Sequence, residues 1–187
     1  LCSPNKVFHR KLARVAFEAL GDAWQPFTYG QVSYVFHLAL GFDIKLVFFG
    51  ENGEAEYSGA SKTKDWPGMP WDYWAEQYFK GVTAQRLVEY GLQNNLMKET
   101  DFTASDLRFY SPPDIEQLKS NDIQFHWLGY YHKWLPQANY YYSQKNTGFE
   151  ANPDGRSEGT YSKYASLDDK LDGFHYYLAF VKFGIGR

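Results

Sequence analysis

Ile44-Lys45-Leu46-Val47-Phe48-Phe49, running into Gly50-Glu51-Asn52-Gly53-Glu54-Ala55-Glu56-Tyr57, is the stretch on which the reading of the fold turns. A short continuous apolar run closed by glycine reads as a buried strand of a parallel sheet, since a one-sided strand would alternate apolar and polar residues. Upstream, Val32, Val35, Phe36, Ala39 and Leu40 recur at helical spacing after Pro26, and Gly41 ends that helix. Before it, Ser3-Pro4 is a helix-start signal. Phe8, Leu12, Val15, Ala16, Ala19 and Leu20 then form a second helical stripe that stops at Gly21. Helix, turn, apolar strand, glycine and acidic loop follow the order of an open α/β sheet, in which ligands bind beyond the carboxyl ends of the strands.

Downstream, the segment after Ser58 is rich in Gly, Lys, Trp and Pro and is long for a connection, which marks a candidate functional loop. Helical stretches are expected over residues 71–80 and 83–96, and Ser111-Pro112-Pro113-Asp114 opens another by its capping chemistry. Ile123, Phe125 and Trp127 alternate with Gln124 and His126, the signature of a half-buried strand. A helix through residues 135–145 precedes a loop from Gly148 to Lys163, and Ser166 with Asp169 forms a capping box for a last helix. Leu167, Leu171, Phe174, Leu178 and Val181 are the expected core stripe of that helix. Tyr140, Tyr141 and Tyr142, with Trp127, Tyr130, Tyr131 and Trp134, read as core aromatics, some free to stack on sugar faces.

Composition bounds the function. Aromatic residues make up 20% of the 187 residues, so the chain can bury a core. Its formal net charge of −3 gives no overall attraction to nucleic acid, and no apolar run is long enough to span a bilayer. The single Cys2 excludes an internal disulfide and a cysteine-based zinc site, which suits a reducing cytoplasm; no signal peptide is visible. The chain opens at Leu1 and stops soon after an apolar helix, and it reads as a piece of a longer protein.

Two constellations carry chemistry. Glu51, Glu54 and Glu56 crowd the end of the first strand, where carboxylates repel unless a cation sits among them; a solvated acidic turn is the plain alternative. Asn146 to Pro153, running into Arg156-Ser157-Glu158-Gly159-Thr160-Tyr161-Ser162-Lys163-Tyr164, offers small residues, hydroxyls and two cations suited to a phosphate- or carboxylate-bearing sugar; a surface loop explains it equally. Asp168, Asp169 and Asp172 read first as helix-start carboxylates, with a ligand-facing role for Asp168 or Asp172 as the alternative. The five histidines lack metal-site spacing and read as mostly structural.

Gln25-Pro26-Phe27 with Gly30-Gln31, Phe49-Gly50-Glu51-Asn52 through Tyr57, Tyr78-Phe79-Lys80-Gly81, Asn139-Tyr140-Tyr141 with Asn146-Thr147-Gly148-Phe149, and Arg156 through Lys170 together resemble the N-acetyl sugar amidotransferases. These are ATP-pyrophosphatase-type synthetases of bacterial O-antigen, pseudaminic acid and legionaminic acid pathways, and the resemblance covers nearly the whole chain. It implies an α/β fold: residues 1–60 as the later part of a Rossmann-like, adenine nucleotide alpha hydrolase-like parallel-sheet domain, and residues 61–187 as a mainly helical substrate region packed with it. The family's Ser-Gly-Gly-x-Asp-Ser pyrophosphate loop does not occur in this sequence.

The resemblance further implies ATP and Mg²⁺ as cofactors and a nucleotide-linked acetamido sugar as substrate. A separate glutaminase subunit would supply ammonia, and neither nucleic acid nor membrane would be a partner. Glu51, Glu54 and Glu56 would hold Mg²⁺ or steer ammonium. Arg156, Lys163 and Lys170 would hold phosphate or carboxylate groups. Gln25 and Gln31 would contact nucleotide or substrate amides, with Asn52, Ser157, Tyr164 and Asp168 completing the substrate site. The rival from another class is a non-catalytic carbohydrate-binding module.

Overall fold

Asn5 starts the first helix. Its Oδ1 accepts the backbone N–H groups of Val7 and Phe8 at 3.1 and 3.3 Å, so the cap expected at Ser3 lies two residues further on, where a short amide does the same work as a hydroxyl. Helix α1 spans Lys6–Leu20, and Gly21 ends it at φ +64°, a conformation that costs glycine little. Helix α2 is Gln25–Gly41 and strand β1 is Leu46–Phe49. There follow α3 (Ala84–Gln93), a 3₁₀ turn (Glu99–Asp101), α4 (Ala104–Arg108), α5 (Ile115–Ser120), β2 (Gln124–Trp127), α6 (Leu128–Tyr131), α7 (Pro136–Thr147) and α8 (Lys170–Phe183). The computed structural model describes residues 2–50, 63, 65–74, 81–133, 135–153 and 170–184, of which 71–74 are also helical.

Local chemistry accounts for the helix ends. Thr83 caps α3 through the Arg86 amide, Thr103 and Asp106 form a reciprocal capping box on α4, and Asp114 caps α5 through the Glu116 amide. Gly148, at φ +70°, closes α7.

The chain is α-rich with a small parallel sheet. Leu46, Val47, Phe48 and Phe49 of β1 lie opposite Gln124, Phe125, His126 and Trp127 of β2, and the connection between them passes through α3, α4 and α5. The chain divides into two units, residues 1–12 with 26–133 and residues 13–25 with 134–187, so both strands belong to the first unit.

Beneath the sheet the first unit holds an aromatic core centred on Phe36 of α2. Its ring centroid lies 4.8 Å from Trp71, 5.4 Å from Trp74, 5.6 Å from Phe125 and 6.0 Å from Phe49, the two tryptophans edge-on at 87°. Such edge-to-face contacts add to the area term because ring edges are positive and faces negative. Trp71 donates its indole N–H to the Ile123 carbonyl at 3.2 Å, which meets the polar requirement of a half-buried ring. Ile123, Phe125 and Trp127 are all buried, as the alternation predicts.

The other face of the sheet corrects the expectation that the 44–49 run is buried on both sides. Leu46 is 45% and Phe48 52% exposed, and Ile44, before the strand, is 47% exposed. The described residues place the aromatic core on one face of β1 and no second layer on the other, so a continuous apolar run serves here as a one-sided strand.

In the second unit, Lys182 of α8 donates to the carbonyls of Leu20 and Gly21 at 3.3 and 3.2 Å. A cation there satisfies orphan carbonyls and opposes the negative end of the α1 dipole. Phe17 and Phe174 pack with centroids 5.9 Å apart. Of the stripe expected along α8, Phe174 is 40% and Val181 61% exposed and Leu178 is half-buried, so none of the three is fully buried; Leu167 and the Leu171 side chain lie outside the described residues. A helix apolar nearly all round gives periodicity no single face to select. Tyr141, Tyr142, Tyr130 and Tyr131, expected in the core, are likewise at least half exposed. Among the described residues no helix is long and apolar enough to cross a membrane.

Truncating Phe36 to Ala removes the ring that four others meet, so it should cost about 3–5 kcal/mol in the denaturant-unfolding free energy. A loss below about 1 kcal/mol would show that the cluster is not the organising core.

Candidate functional site

The carboxyl ends of the two strands are built as one row. Phe49 stands opposite Trp127, and the Trp127 N–H donates to the Pro67 carbonyl at 2.8 Å on the far side of β2. Gly68 forms an antiparallel bridge with His126. A β-carbon on Gly68 would sit 2.1 Å from the Phe125 carbonyl oxygen, so glycine is what lets the chain lie this close. Next to this row, His126 Nδ1 is 2.5 Å from Tyr131 Oη, the two rings stack at 10°, and Phe48 meets both edge-on. The acidic run begins at Gly50, directly after β1.

Elsewhere in the first unit, a groove of about 390 Å³ is lined by Cys2, Asn5, Tyr34, His37, Asp106 and Arg108, among others. Tyr34 stacks on Phe109 at 4.5 Å, and His37 Nε2 is 2.8 Å from the Ser111 carbonyl, which makes that nitrogen the donor. The Thr103 hydroxyl, then the Thr103 backbone N–H and Asn5, hold the Asp106 carboxyl below its usual range. Its carboxylate is therefore already engaged by the protein. Burial, reinforced by Asp106, pushes the Tyr110 phenol well above its ordinary value. Tyr110 keeps its proton and lies 2.9 Å from His9 Nδ1. Lys11, at 2.5 Å, and then the Lys98 backbone N–H lower the Asp101 carboxyl.

Most residues singled out by sequence lie outside the described residues: Glu51, Asn52, Glu54, Glu56, Arg156, Ser157, Lys163, Tyr164 and Asp168. Lys170 opens α8, with its side chain also outside them. Gln25 is 1% exposed at the start of α2, so its amide faces protein, whereas Gln31 is exposed on the same helix. Three histidines hold structural hydrogen bonds, to Tyr110, to Ser111 and to Tyr131. Among the described residues no three or more His, Cys, Asp or Glu side chains gather as a metal site.

Sequence reading did not find the groove or the His126–Tyr131 pair. The groove draws on residues 2–5, 34–38 and 105–109, three segments with no shared spacing. Strand alternation placed His126 on an open face, and nothing in the sequence tied it to Tyr131. No protein-family model and no curated protein matches the chain.

The depressed carboxyls set a pH dependence. A group whose folded pKa is lowered stabilises the fold above its unfolded value, about 3.9 for Asp, and loses that contribution as pH falls from there through the lower folded value. Asp101→Asn should therefore flatten the fall in unfolding free energy below about pH 4. An unchanged acid limb would show that the Lys11 pair carries no linkage.

Proposed function

We propose that the chain belongs to an ATP-dependent N-acetyl sugar amidotransferase of bacterial surface-polysaccharide synthesis, acting in the cytoplasm, and forms the later part of its Rossmann-like nucleotide domain with the helical substrate region. The observation that carries this reading is a strand in parallel pairing whose carboxyl end runs straight into three closely spaced glutamates. Parallel pairing needs a long crossover, and open parallel sheets bind ligands at that end.

The chemistry asks for charge control at one carbon. The acetamido oxygen attacks the α-phosphorus of ATP, an O–P bond forms and pyrophosphate leaves. Ammonia from a glutaminase subunit then adds to the activated carbon, and the C–O bond breaks to release AMP, leaving the acetamidine. Mg²⁺, when bound, neutralises phosphate charge. In this reading Glu51, Glu54 and Glu56 orient ammonium and take up its proton, while Arg156 and Lys163 bind the nucleotide-sugar phosphates. The exposed Tyr130, Tyr131 and Phe48 favour a second reading, a carbohydrate-binding module that takes sugar without ATP.

The full-length parent, given ammonia, Mg²⁺, ATP and a nucleotide-linked acetamido sugar, should release AMP and pyrophosphate in equal amounts. Glu51→Gln and Arg156→Ala should each lower turnover by roughly 10²-fold or more, as loss of one electrostatic group typically does. Wild-type rates in both variants would remove the site assignment. The 187-residue chain alone, lacking a glycine-rich phosphate cradle, should release no pyrophosphate; sugar binding without ATP would favour the module.

A further inference from the structure

We propose that the groove of the first unit lined by Tyr34 and Arg108 is a binding site for a small organic carboxylate, apart from the strand ends and independent of the activity proposed for them. The groove measures about 390 Å³, room for one small molecule. Its walls are fixed by bonds within the protein. Asn5 caps α1 through its Oδ1, and its side chain also bonds the Asp106 carboxylate. Thr103 gives Asp106 two further bonds, from its backbone N–H and its hydroxyl, each at 2.8 Å. Tyr34 lies nearly flat on Phe109, with 4.5 Å between ring centroids and 18° between planes, and the bond to the Ser111 carbonyl at 2.8 Å holds the His37 ring. The Cys2 side chain bonds the Tyr34 hydroxyl and raises that phenol's pKa, while the positive charge of Arg108 works the other way, so thiol, hydroxyl and guanidinium act on one another across the groove. Walls already placed have little freedom left to lose on binding.

One group stands outside this web. Arg108 is the single Lys or Arg side chain lining the groove, and it makes no hydrogen bond or ion pair with another described residue. Asp106, the acid on the same wall, is held by Thr103 and Asn5 instead. A planar fork of N–H donors without an internal acceptor matches the two oxygens of a carboxylate. Charge narrows the class: one guanidinium beside one carboxylate suits a ligand of single negative charge, and a dianion would meet repulsion from Asp106. Pro4, Leu38 and the Phe109 ring give the remaining wall an apolar surface for the ligand's carbon body.

Cys2 reports on occupancy, because it lines the groove and is the chain's one cysteine. In the full chain near neutral pH, benzoate at about four times its half-protecting concentration should slow alkylation of Cys2 by uncharged iodoacetamide roughly fivefold, by mass action. Benzyl alcohol, similar in size and neutral, should not. Arg108→Gln should raise the half-protecting benzoate concentration by roughly tenfold or more, as loss of charge-assisted hydrogen bonds does. Equal protection by benzyl alcohol would overturn the anion, and an unchanged half-protecting concentration in Arg108→Gln would overturn the role of the arginine. Stronger protection by phenyl phosphate than by benzoate would overturn the carboxylate. Failure of benzoate to protect the wild type would overturn the site outright, a result that needs no variant to fold.

Discussion

Everything in the first unit depends on one packing constraint: a two-stranded parallel sheet must cover at least one face, and the Phe36 ring does it. Parallel pairs are found almost only where layers bury them. Here α2 delivers a ring that touches both strands, through Phe49 and Phe125, and the segment at 71–74 through Trp71 and Trp74. Because these rings interlock, tilted against the strand phenylalanines and edge-on at the two tryptophans, register and helix position are set together. Sliding β2 by one residue would turn Phe125 and Trp127 to the open face.

That register sets the place of the proposed chemistry. With Phe49 level with Trp127, and Trp127 bonded to Pro67, three chain segments end on one line. Beyond this line β2 passes directly into α6, and after β1 the acidic run of the sequence starts. A reaction that activates an amide oxygen and then admits ammonia needs groups held still around a charged centre, since preorganised charge costs no reorganisation when the transition state forms. The sheet end supplies stillness; the carboxylates and cations proposed for the site supply charge.

Much of the fold is legible in the sequence because local physics dominates it. The helix opened by Ser111-Pro112-Pro113-Asp114, the Gly21 stop, the loop that begins at Gly148, and the alternation of Ile123, Phe125 and Trp127 each stand where sequence places them. Burial is less legible. The residues Leu46-Val47-Phe48-Phe49 look alike in sequence whether one face or two are covered, and α8, with apolar residues spread round much of its surface, hides its packed side. Of the candidate site, sequence shows the composition of the acidic loop and nothing of the Gly68–His126 bridge beside β2. Gly68 stands in a stretch rich in Gly, Lys, Trp and Pro, and its bridge partner His126 lies far along the chain. The two glutamines drawn from the resemblance differ in surroundings that no local pattern encodes, Gln25 being buried and Gln31 exposed.

The central claim is that the acetamido oxygen of a sugar is adenylated and then expelled. An acceptor sugar carrying ¹⁸O in its acetamido carbonyl, turned over by the full-length parent with ATP and ammonia, tests it in one mass spectrum of the nucleotide products. The account predicts the label in the phosphate of AMP and none in the sugar product, because the oxygen that attacks phosphorus is the one that leaves carbon. Label kept in the sugar, or released to water or inorganic phosphate with AMP unlabelled, would contradict it.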